Sequence, residues 1–223
     1  MALTIAIDGP VGAGKSSVAK KLADALGILH LDTGAMYRAL GFKALREGVD
    51  PLDVAASEAL CGRTDIAVRL EAGLQRTFLD GMDITDQIRT PQVSAAASAI
   101  SKARGVRRHM VALQQQYALQ SDMVLDGRDI GTCVLPNATF KFFLTAPSQV
   151  RARRRYEELR AKEIPCAYEE VLRDLIARDE QDAGREVSPL KRAEDALEID
   201  TADLTEEGVL EMLLGIVKGD GTK

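Results

Sequence analysis

The stretch LTIAIDGPVGAGKSS, residues 3–17, decides the fold. Its first part, LTIAID at 3–8, is a short apolar run of the kind that forms a buried strand. GPVGAGKSS follows at 9–17, and an amphipathic pattern continues from Lys15 to about Leu26. G-x-x-x-x-G-K-S/T carries meaning in that one context, strand then loop then helix, because glycines let backbone N–H groups converge on phosphate oxygens and the helix N-terminus adds positive potential. Gly9, Pro10, Val11, Gly12, Ala13, Gly14, Lys15, Ser16 and Ser17 are therefore the expected nucleotide-phosphate-binding loop, which alone leaves ATPase, GTPase, sugar kinase and nucleotide kinase open. Lys15 reaches the β- and γ-phosphates, and the Ser16 hydroxyl is placed to ligate Mg2+. A glycine-rich turn with an exposed lysine is the bland alternative, and the context argues against it.

Working outward, apolar runs recur at ILHL (28–31), DMVLDG (122–127), TFKFFLT (139–145) and LEIDT (197–201). Between them lie helical patterns from Gly34 to about Glu47, Pro91 through Arg107 to about Leu119, Ser148 to about Lys162, Tyr168 to about Gln181 and Thr205 to about Val217. Unbroken apolar strands alternating with amphipathic helices predict an α/β fold, a parallel sheet of about five strands covered on both faces. One region departs from this rhythm. DIAVRLEAGLQRTFLDGMDIT at 65–85 alternates as short strands, with turns at Ala72-Gly73 and Asp80-Gly81, and predicts a small antiparallel unit. Thr90 and Pro91 then fit the N-cap and first position of the next helix. The expected organisation is a core of residues 1–61 and 108–223, with an insert at 62–107 and a short helical lid at about 151–164.

Composition narrows the classes. A chain of 223 residues with net charge −5 can bury a full core and does not suit bulk attraction to nucleic acid. The three cysteines, Cys61, Cys133 and Cys166, are odd in number and lack C-x-x-C spacing, which favours a reducing, cytoplasmic setting. No apolar segment approaches the ~20 residues needed to span a bilayer. His30 and His109 have no partner at metal-ligand spacing and read as structural. A monomer is the default expectation. A guanine-nucleotide switch would call for N-K-x-D, which the sequence lacks.

The stretch MVLDGRDIG, 123–131, places two carboxylates and an arginine where a buried strand ends. Ligands of an open parallel sheet sit beyond the carboxyl ends of the strands, so this group faces the crevice. Arg128 can grip an acceptor phosphate and Asp129 can accept from a base donor, although Asp126 capping its own turn with an Arg128–Asp129 surface pair would look the same. LDTGAMYR at 31–38 closes the second strand, with Thr33 as expected helix cap and Tyr37 and Arg38 offered to a second phosphate, or as a plain cap and a surface arginine. Arg151, Arg154 and Arg155 share a basic helix suited to a lid over a migrating phosphoryl group, or to a solvated face. Arg178, Asp182 and Arg185 stand at helical spacing, as a site or as a surface ladder.

With the phosphate loop, LDTGAMYR, IRTPQV at 88–93 and LDGRDIGT at 125–132, the chain resembles the bacterial cytidylate kinase family, in register from the N-terminus to about Pro189. The resemblance implies a core, a nucleoside-monophosphate-binding insert and a lid, with Mg-ATP as donor and CMP or dCMP as acceptor. It implies that Thr33, Arg38 and Arg128 hold the acceptor phosphate. Ser98, Arg107, Asp129 and Arg185 correspond to cytosine contacts, Arg178 and Asp182 to pentose contacts, and Arg151, Arg154 and Arg155 to lid arginines. Ser16-Ser17 replaces a common Gly-Thr, so either hydroxyl could meet magnesium, and Arg104 or Arg108 could stand in for Arg107. A carboxylate such as Asp129 suits the exocyclic amine of cytosine and repels the O4 of uracil, so UMP is expected to be a poor substrate. The alternatives are a kinase for another monophosphate or a small metabolite such as shikimate, and a P-loop ATP-dependent switch or binding module.

Overall fold

The computed structural model describes residues 2–71 and 74–219. Its main sheet is built from β1 (Thr4–Asp8), β2 (Leu29–Asp32), β6 (Met123–Asp126), β7 (Phe140–Thr145) and β8 (Leu197–Asp200), in the order β2-β6-β1-β7-β8. All four pairings are parallel. The helices are α1 (Lys15–Leu26), α2 (Thr33–Glu47), α3 (Val54–Gly62), α4 (Pro91–Ile100), α5 (Arg104–Ala118), α6 (Ser148–Ala161), α7 (Tyr168–Ala183) and α8 (Glu206–Lys218). A second sheet, β3 (Ile66–Glu71), β4 (Leu74–Leu79) and β5 (Met82–Asp83), is antiparallel.

Side-chain alternation along β1 explains the two cores. Ile5 and Ile7 point to one face, where Val124, Phe142 and Leu144 meet Val18 and Leu22 of α1 and Val209 and Leu213 of α8. Ala6 points to the other, where Leu31 and Leu125 meet Met36 and Leu40 of α2 and Val106 and Met110 of α5. Each large aliphatic side chain so buried contributes roughly 1.5–3 kcal/mol, which is why the strands read as continuous apolar runs. A third cluster, Ala152 and Leu159 with Val171 and Leu175, joins α6 to α7.

Asp80 and Gly81 adopt φ of 49° and 82°, the left-handed pair that a two-residue hairpin turn needs, and Leu79 pairs with Met82 across it. The expected Ala72-Gly73 turn lies outside the described residues.

Three expectations are corrected. The single helix expected from Pro91 to Leu119 is two, because Ser101 Oγ bonds back to the Ser98 carbonyl at 2.8 Å and α4 ends there. α5 restarts with Glu58 Oε1 of α3 accepting from Gly105 N at 2.6 Å, a carboxylate at a helix N-terminus. Thr33 is not the cap of α2: Asp32 is, accepting from Ala35 N at 3.0 Å, while Thr33 Oγ1 donates to the Asp126 carbonyl at 2.6 Å. α3 has no counterpart among the expected helices, and Ile130–Val134 after β6 forms a π-helical turn.

Candidate active site

Register places three carboxylates along the carboxyl edge of the sheet. Asp32 of β2 pairs with Asp126 of β6, and Asp126 with Ile7, one residue before Asp8 of β1. The phosphate loop leaves the same edge after β1. Gly9 has φ of 144°, and a Cβ there would lie 2.0 Å from the Leu144 carbonyl oxygen, so only glycine allows the loop to start where it does.

A cleft of about 350 Å³ opens over this edge between the loop, α2, α4, α6 and α7. Every site residue expected from the sequence lines it except Gly9, Pro10, Ala13, Arg151 and Arg154. Lys15 is buried beneath it with Nζ donating to the Pro10 carbonyl at 2.6 Å. Burial and the neighbouring Arg128 charge hold its ammonium well below the usual lysine range.

Asp126 is the hub of the edge. Ser16 Oγ donates to its Oδ2 at 2.6 Å, and His30 Nε2 lies 2.7 Å from its Oδ1. Burial opposes a charged His30, yet Asp126 outweighs it and raises the imidazole above its ordinary value. His30 is thus tied to the site carboxylate rather than to packing alone. Asp8 accepts from the Ile130 and Gly131 N–H groups at 2.8 and 2.7 Å, which fixes the chain just past Asp129, and burial pushes its carboxyl up to about 6.

The arginines converge from different elements. Arg38 Nη2 donates to Asp32 Oδ2 at 2.7 Å. Arg128 Nε donates to Asp182 at 2.9 Å, and Arg185, just past the end of α7, bonds both Asp182 and Ser101 Oγ. Burial would raise Asp182, but Arg128, Arg185 and Arg178 hold its carboxyl low. Arg178 is itself lowered to about 10, first by burial and then by the Arg128 charge. Arg107 donates to Asp129 at 2.5 Å, both buried, and its guanidinium lies 5.6 Å over the Tyr37 ring. Tyr37 therefore supports Arg107. Arg104 instead pairs with Glu186 at the surface, and Arg108 is exposed. The Nε atoms of Arg38, Arg107, Arg178 and Arg185 are buried with no partner among the described residues. Leaving such donors unpaired is costly, and these four belong to arginines that line one cleft, which concentrates positive charge there.

The basic helix divides its arginines. Only Arg155 faces the cleft, paired with Glu158 at 2.6 Å. Arg154 bonds Thr201 beyond β8. Arg151 is buried and donates to the Val11 carbonyl at 2.9 Å and to Asp179 at 2.5 Å, while Asp179 accepts from Val11 N at 3.3 Å. The Arg151–Asp179 pair thus clamps both backbone groups of one loop residue. Asp126, Asp32, Asp8, Asp179 and Ser101 were not among the expected site residues. Asp126 alone was signalled, by its place at a strand end; the others matter through partners distant in sequence.

A phosphate loop feeding a cleft of convergent arginines, beside a small antiparallel sheet and α4, defines a P-loop phosphotransferase. Two solved structures agree on the fold alone: a protein from Eubacterium ventriosum (13% identity, TM-score 0.56, 98% of this chain and 99% of that one) and shikimate kinase from Bacteroides thetaiotaomicron (15%, 0.51, 97% and 98%). Sequence is more specific. The family model for cytidylate kinase matches residues 5–219. Cytidylate kinase of Caldicellulosiruptor bescii is 49% identical over 212 residues, 95% of this chain and 94% of that one, and that of Bacillus subtilis is 47% identical over 216, 97% and 96%. The chain belongs to the cytidylate kinase family, and is a nucleoside monophosphate kinase.

Proposed function

We propose that the chain transfers the γ-phosphoryl group of ATP directly to the phosphate of CMP or dCMP, giving ADP and the diphosphate. Four arginines that line the cleft with the phosphate loop, each with a buried Nε that has no partner among the described residues, carry this reading, because they bring positive charge to the cleft that Lys15 also lines. The curated relatives named as cytidylate kinases support the acceptor. An acceptor phosphate is already anionic at neutral pH and needs no strong base, so catalysis rests on position and charge. Lys15 bridges the donor phosphates, Arg38 and Arg128 orient the acceptor phosphate, and Arg155 reaches the migrating group from the lid side.

Magnesium fits the residues present. The Ser16 hydroxyl sits 2.6 Å from the Asp126 carboxylate, a hard oxygen pair at the loop's helix N-terminus, and favours Ser16 over Ser17 as the ligand. The ion, when bound with ATP, neutralises charge between the β- and γ-phosphates. Arg178 and Asp182 meet the pentose, and Ser98, Arg107, Asp129 and Arg185 meet the base.

Ground for base choice lies in the Arg107–Asp129 pair, which offers a carboxylate acceptor beside a donor. Uracil would set a carbonyl against that carboxylate, at a cost of a few kcal/mol or about 100-fold in kcat/KM. ADP formation measured with CMP, dCMP, UMP, AMP, GMP and shikimate, one at a time, tests the reading. A response confined to CMP and dCMP is expected; an equal response to UMP, or none above the ATP-only rate, refutes it. No described helix is long and apolar enough to cross a membrane, and we propose a monomer acting in the cytoplasm.

A further inference from the structure

Gln181 does not line the cleft, yet its Nε2 lies 3.0 Å from the Ser98 carbonyl oxygen and 2.8 Å from Ser98 Oγ. A carbonyl oxygen can only accept, so the group facing it must be the amide NH2, which fixes the side chain's orientation. The same nitrogen then donates to Ser98 Oγ, which must accept there. A hydroxyl has one hydrogen, and because Oγ accepts from Gln181, that hydrogen is not spent there and is free to donate toward the cleft that Ser98 lines.

We propose that Gln181 is a specificity-determining positioning residue, which sets Ser98 as a hydrogen-bond donor toward the base. This rests on the cytidylate kinase reading above and goes beyond it by naming a polarity. A neutral cytosine ring presents an acceptor at N3, whereas uracil presents N3–H, a donor that would oppose the Ser98 hydrogen. The selection acts on the ring edge, separately from the exocyclic group that faces the Asp129 carboxylate. It also gives a reason for the placement of Gln181 on α7 against α4. The helix carrying Arg178 and Asp182 sets a hydroxyl on the insert side, so base polarity and pentose contact are fixed by one element.

The test is the ratio of kcat/KM for CMP to that for UMP. Gln181→Met keeps the length and removes the donor, and the ratio should fall about tenfold, the scale of one oriented hydrogen bond. Gln181→Glu presents only acceptors at neutral pH, draws the Ser98 hydrogen back, and should lower the ratio at least as far. In a Ser98→Ala background, Gln181→Met should leave the ratio unchanged, since Gln181 acts through that hydroxyl. A general loosening of the α7–α4 contact would slow both substrates alike and leave the ratio where it was. An unchanged ratio in Gln181→Met, or the same fall in the Ser98→Ala background, overturns the proposal while the kinase reading stands. A wild-type enzyme that does not phosphorylate CMP overturns both.

Discussion

Gly41 lies in the middle of α2 where that helix crosses α4, and a Cβ built there would lie 2.7 Å from the Ala97 nitrogen and 3.2 Å from the Ala96 carbonyl carbon. Both are backbone atoms, which cannot swing aside. Gly41→Ala gains about 1 kcal/mol of helix propensity and costs roughly 1–3 kcal/mol in overpacking. The net should be a loss of up to about 2 kcal/mol. Gly215, inside α8, is the matched control, because a Cβ there meets nothing within 4 Å. Gly215→Ala should stabilise by about 0.5–1 kcal/mol. At roughly 2–4 °C per kcal/mol for a chain of this size, thermal unfolding should show Gly41→Ala melting several degrees lower and Gly215→Ala a few degrees higher. The crossing also sets the height of Ser98 over the cleft, so Gly41→Ala should raise KM for CMP several-fold while KM for ATP holds. A Gly41→Ala protein that melts above wild type, or that raises both KM values equally, would refute the claim that this crossing is closed to a methyl group and carries the acceptor side.

Lys15→Met or Arg155→Ala should lower kcat by about 100-fold or more with little change in ATP affinity measured by equilibrium binding, since both groups act on charge in the transition state; equal losses would contradict that role. The folded-state carboxyl of Asp182 is held low, so its contribution to stability is present above the unfolded value near 3.9 and is lost as pH falls through the folded value. Urea unfolding should therefore find Asp182→Asn less stable than wild type at pH 7 with the gap closing below about pH 4; a gap of the same size at pH 3 and pH 7 would remove the electrostatic explanation.

The fold is legible in the sequence where structure depends on local pattern. Strand limits such as 139–145 against Phe140–Thr145 hold because buried parallel strands are unbroken apolar runs. Pattern fails at 101–103, where the Ser101 hydroxyl bonding back to the Ser98 carbonyl ends a helix that periodicity alone would continue. It also missed α3, nine residues with weak amphipathic patterning. For the site, the loop and the strand-end residues were legible because a parallel sheet puts its ligands at one edge. The pairing of the arginines was not. Arg151 and Arg155 look equivalent along their helix, but one is buried on the backbone of Val11 and the other faces the cleft. Only the packing of α6 on α7 separates them.

Within five residues, α7 sends Arg178 to the cleft, Asp179 to the phosphate loop, Gln181 to α4 and Asp182 to Arg128. That span is only about 6 Å of helix, with each residue turned ~100° from the last. The four errands therefore share one indexing. Exchanging one of these side chains disturbs the contacts of that residue alone, but inserting or deleting one residue would rotate every later one onto the wrong neighbour. A change of length in the segment should therefore cost more than a change of any one letter, and chimaeras with other kinases should be joined outside it, in the polar loop beyond Arg185 rather than within the helix.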